Sequence, residues 1–62
     1  MTTATASLHH YEVCVRDAHD VSVVHYTTEH YEHAVACATH LPQRYEPRIL
    51  AVYADGEVSR VY

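Results

Sequence analysis

A chain of 62 residues makes one domain, and at this size it buries only roughly 60% of its unfolded surface, so its core is thin. The formal charge of −4, from four Arg, no Lys and eight acids, disfavours a direct grip on nucleic acid, while a local Arg patch stays open. No stretch approaches the roughly 20 apolar residues of a membrane helix.

Residues 1–7 (MTTATAS) are small, polar and unpatterned, and read as a flexible N-terminal tail. They lack the basic start and apolar run of a signal peptide, so a cytoplasmic protein with reduced thiols is expected. Residues 8–62 read as a single domain. Leu8 to Arg16 alternates, with Tyr11, Val13 and Val15 on one side and His10, Glu12, Cys14 and Arg16 on the other. That period of two predicts a half-buried strand. Asp17 to Asp20 is a turn cluster that joins it to a second strand, Val21 to Thr27, rich in β-branched residues. The core face of this second strand is ambiguous, and the Val21 and Val23 side is preferred.

Thr28 is the expected helix N-cap, with Glu29 and Glu32 in the first turn, where acids complement the helix dipole. Tyr31, Ala34, Val35, Ala38 and Leu41 recur at threes and fours as one apolar stripe. Pro42 stops the helix near His40 or Leu41. A loop between Pro42 and Pro47 leads to Arg48–Ala54, a continuous apolar run that suits a central strand covered on both faces. Asp55–Gly56 marks a two-residue hairpin, and Glu57 to Tyr62 alternates as an edge strand. The expected fold is α+β: ββαββ, a four-stranded, mostly antiparallel sheet with one helix on one face. The third strand can lie beside the first or the second.

One helix leaves the other face of four strands bare. Val24, Tyr26, Leu50, Val52 and Val61 are the apolar candidates there, and such a patch marks an interaction surface. Self-association as a homodimer or docking of a protein partner is therefore expected. The proline-bracketed loop adds Arg44, Tyr45 and Glu46, since Arg and Tyr dominate interface energies, although it also serves simply to span helix and strand. Glu29 and Glu32 give the helix an acidic face for a basic partner or a nucleic-acid mimic.

Seven His in 62 residues is the most unusual count. Their full protonation would turn the net charge positive, mostly near pH 6.5. His30, His33, Cys37 and His40 line one flank of the helix, and His33 with Cys37, four apart, has the spacing of a shared ligand pair for zinc. About three turns separate His30 from His40, so one ion cannot take all four. The plainer reading, surface histidines and a small buried thiol, outweighs the zinc site. Cys37 beside His33 and His40 lacks a nameable oxyanion hole or acid partner, so no enzyme is expected. Cys14 and Cys37 can form a disulfide only if the helix packs across the first strand.

In size, charge and two-hairpin plan the chain resembles the short accessory and inhibitor proteins of bacteria and their phages, though no motif carries the resemblance. A non-catalytic protein-binding module acting as a homodimer is the leading expectation. A small zinc protein and an acidic nucleic-acid mimic or weak nucleic-acid-associated regulator are the alternatives.

Overall fold

The computed structural model describes residues 7–62. The expected tail therefore lies outside the described residues except for Ser7, whose carbonyl accepts a 2.8 Å bond from the Ala54 N–H. The elements are β1 (Leu8–Arg16), β2 (Ser22–Thr28), α1 (Tyr31–His40), a 3-10 turn (Gln43–Tyr45), β3 (Arg48–Tyr53) and β4 (Val58–Arg60). The sheet order is β2-β1-β3-β4, and every neighbouring pair is antiparallel. This is the ββαββ α+β fold, with β3 beside β1. Both β2 and β3 oppose β1, so they share a direction and α1 carries the chain between them.

The alternation of β1 does what its spacing implies. Val13 is fully buried on the helix side with Ala34, Ala38 and Ile49, and Tyr11, Val35, Cys37 and Leu41 pack around them. Pairing carries the same face across the sheet, since Val13 opposes Ile49 and Tyr11 opposes Ala51. Two of the four central residues are alanines, which let the helix approach closely but supply little apolar area. Burial of Ile49 and Val13 side chains, at roughly 1.5–3 kcal/mol each, therefore carries a large share of the core. Tyr31, expected in the stripe, packs its ring 5.4 Å from that of Tyr11 but stays 40% exposed at the rim.

Three local expectations are corrected. Thr28 does not cap the helix; it pairs with Tyr11 as the last residue of β2, and its Oγ1 accepts from the His30 N–H at 3.2 Å. His30 holds the cap position without a side-chain bond, so Glu29 precedes the helix and only Glu32 lies in its first turn. The β3–β4 connection is longer than two residues. Tyr53 N–H bonds to Glu57 O and Gly56 N–H to Tyr53 O, and Gly56 alone takes a positive φ of 91°. That is the three-residue hairpin closed by a left-handed glycine. β3, finally, is covered by the helix on one face only, and Leu50 and Val52 are half-buried on the other.

In β2 the simple alternation fails. Val13 opposes Tyr26 while Cys14 opposes Val24, which leaves His25 as the extra residue of a β-bulge. The bulge shifts the facing by one. Val23, opposite Val15, and Tyr26, opposite Val13, both fall on the helix side, and Val24 falls on the open side. β2 is nonetheless an edge strand, exposed along most of its length.

Candidate functional site

The open face can be read row by row from the pairing. His10, Val52 and Val58 form one row; Thr27, Glu12, Leu50 and Arg60 the next; Val24, Cys14 and Arg48 the third; Ser22 and Arg16 the last. Apolar groups run through the upper and middle rows, with Val24 and Val58 each about half exposed (53% and 52%). No other layer of the chain lies over them among the described residues. Of the five residues expected here, Val24, Leu50 and Val52 are in place. Tyr26 is not, because the bulge turns it to the helix side. Val61 lies past β4, where its N–H donates to Ile49 O at 2.9 Å.

The lower rows converge on an arginine-lined groove of about 360 Å³, walled by Arg16, Arg48 and Arg60 with Gln43, Glu46 and Pro47. Three of the four arginines, remote in sequence, meet there because β1 and β4 end, and β3 begins, at one end of the sheet. Arg16 is already committed: Nη1 lies 2.8 Å from Asp20 Oδ1 and Nε 2.5 Å from Glu46 Oε2. Those two carboxylates push its pKa further up. Arg48 donates from Nη2 to Ser22 Oγ at 2.8 Å, and its Nε is buried without a partner. Arg60 donates from Nε to Tyr62 O at 3.1 Å. Among the described residues, neither Arg48 nor Arg60 pairs with an Asp or Glu side chain. At the opposite end, the β3–β4 turn carries Asp55 and Glu57, and Glu29 and Glu32 flank the helix start. The arginine end carries acids of its own, Asp17, Asp20 and Glu46, so the chain is acidic overall with its arginines gathered at one end.

The remaining expected contacts are scattered. Arg44 lies over the Tyr45 ring, 4.9 Å from its centroid, on the exposed 3-10 turn. Glu46 follows in the left-handed region at φ 49° and turns inward to Arg16. Glu29 and Glu32 are exposed beside the helix, away from the open face of the sheet.

The four residues of the helix stripe point in different directions. His30 and His33 rings meet edge-on at 5.0 Å, Cys37 turns toward the core, and His40 Nδ1 folds back 2.7 Å from Ala36 O. Among the described residues, no three His, Cys, Asp or Glu side chains form a group that could hold a metal ion. His10, Glu12 and Cys14 share the open face at alternate positions, with His10 Nε2 3.0 Å from Glu12 Oε2. Burial, and then the charge of Glu12, push the Cys14 pKa up against the weaker pull of Arg48, so the thiol stays protonated and a poor nucleophile. Cys14 is 4% exposed on the open side and Cys37 packs with the helix-side core, so the sheet separates them and both are free.

No helix of the described residues is long and apolar enough to cross a membrane. Comparison with protein-family models, with curated proteins and with solved structures finds no match to this chain.

Proposed function

We propose that this chain is a non-catalytic protein-binding module that acts by surface contact, and that it does so as a homodimer joined through the open face of its sheet. The observation that carries this is the bare row and column of Val24, Leu50, Val52 and Val58 opposite the helix. With seven buried apolar residues among the described ones, three of them alanine, so small a chain gains more from covering that face than a larger domain would. A second copy is the occupant most readily at hand, and isologous pairing of one face with itself is the commonest way such a layer closes. The charge distribution also favours protein partners over nucleic acid, since the one arginine-rich corner is set in a chain of net charge −4.

Sedimentation equilibrium at low micromolar concentration tests the reading. The chain sediments as a dimer, and Val52→Lys sediments as a monomer with an unchanged circular dichroism spectrum. A wild-type monomer at these and at tenfold higher concentrations would refute it.

A further inference from the structure

We infer that His9 and His10 form a chelating pair for copper(II), with Glu12 holding His10 from behind. The site lies within one copy and stands apart from the homodimer reading. Successive side chains of a strand point to opposite faces, so neighbouring histidines in regular β structure do not share an ion. Here the pairing of β1 with β3 slips. Leu8 opposes Tyr53 and His10 opposes Val52, which leaves His9 as the extra residue of a second bulge. The two rings meet there, with centroids 4.9 Å apart and Nδ1 facing Nδ1 at 2.6 Å.

Hydrogen bonding fixes which nitrogens are available. His10 Nε2 lies 3.0 Å from Glu12 Oε2, and a carboxylate only accepts, so in the neutral ring the proton sits on Nε2 and Nδ1 presents its lone pair. A carboxylate behind the far nitrogen is the usual support of a metal-binding histidine, because it orients the ring and strengthens the facing nitrogen as a donor. The side chains of His10 and Glu12 are only 19% and 28% exposed, so the sheet holds that support in place. His9 is exposed, and its ring is free to carry its proton on Nε2 and turn its Nδ1 lone pair beside that of His10. With metal–nitrogen bonds of about 2.0 Å, cis positions of a square plane stand about 2.8 Å apart and tetrahedral positions about 3.3 Å. The 2.6 Å separation is nearer the first. Square-planar sites of nitrogen and oxygen donors suit copper(II), which also binds such donors more tightly than zinc does. The two imidazoles fill two positions and water the rest, since both histidines line an open groove with Leu8, Thr27, Thr28 and Glu29. No arginine lines that groove, and the Glu29 carboxylate favours a cation in it. The helix pair His30 and His33 has no such carboxylate contact among the described residues.

Titration with copper(II) chloride tests this, in glycine to mask scattered weak sites and with electron paramagnetic resonance as the readout. One equivalent binds per chain, and the spectrum carries hyperfine splitting from two imidazole nitrogens. His9→Gln abolishes the two-nitrogen signature and leaves the circular dichroism spectrum unchanged, because His9 is exposed. Glu12→Gln, which acts only through His10, weakens binding about tenfold and keeps the two-nitrogen signature. His30→Gln has no effect. Zinc in the same buffer displaces copper(II) only in large excess. No uptake against glycine, a signature that survives His9→Gln, or one lost with His30→Gln instead overturns the site. Zinc competing at equal strength overturns the square-planar assignment, and an unaffected Glu12→Gln refutes the role of Glu12. Each of these results stands whether the chain sediments as a dimer or a monomer.

Discussion

Ile49→Ala, set beside Val58→Ala, separates the two faces of the sheet in one experiment. Ile49 is fully buried between Val13, Ala34 and Ala38. Cutting it to alanine removes three carbons, worth about 2.4 kcal/mol at roughly 0.8 kcal/mol each. The cavity left behind adds to that, because Ala34 and Ala38 have no side chain to fill it, so a loss of about 3–4 kcal/mol is expected. A chain of this length has a total stability of roughly 3–9 kcal/mol, so the variant stands near or past its folding limit at room temperature. Val58 is 52% exposed on the open face, and its truncation costs the fold of one copy less than about 0.5 kcal/mol. Urea denaturation followed by circular dichroism, at one fixed protein concentration, reads both. The concentration must be fixed because pairing contributes to apparent stability. Repeating the series at tenfold dilution separates the terms, with Val58→Ala losing its effect as the wild type dissociates. An Ile49→Ala midpoint within error of wild type would refute the assignment of the core.

Two further outcomes follow from the thiols and the helix. The Cys14 pKa is raised in the folded chain above its ordinary value of 9.0, so above that pH the unfolded state loses its proton first. The native state then binds more protons, and stability falls as pH rises through the interval between the two values. Denaturation at about pH 8 and about pH 10 measures the fall, and Cys14→Ala lessens it; equal slopes in the two proteins would count against the burial of this thiol. Calorimetric titration with zinc gives no stoichiometric isotherm, because Cys37 faces the core and His40 its own helix; a one-to-one isotherm abolished by His33→Ala or Cys37→Ala would reverse that conclusion.

Where local pattern governs, the fold is legible in the residues. Tyr11, Val13 and Val15 declare the inner side of β1 by spacing alone, and Ala34, Val35 and Ala38 do the same for the helix. Pro42 and Gly56 mark real breaks, since proline cannot extend a helix and the turn needs a positive φ at one residue. Thr28 misleads because its hydroxyl does bond a nearby amide, that of His30, as a cap would, while strand pairing with Tyr11 holds its backbone. Tyr26 misleads because a single extra residue, His25, inverts the facing of everything beyond it, and no composition signal announces a bulge. The arginine groove depends wholly on strand order. Alternation assigns Arg16, Arg48 and Arg60 to faces, but only the placement of β3 beside β1 and β4 beside β3 makes them neighbours.

The bulge at His25 has a consequence for colloidal behaviour. β2 offers solvent a seven-residue outer rim, two of its residues valine, and a flat rim of that kind invites other chains to zip on without limit. The inserted residue kinks the rim and breaks the regular spacing of its free amides and carbonyls. Growth into fibrils is thereby discouraged at the side of the sheet, while finite closure through its flat surface stays open.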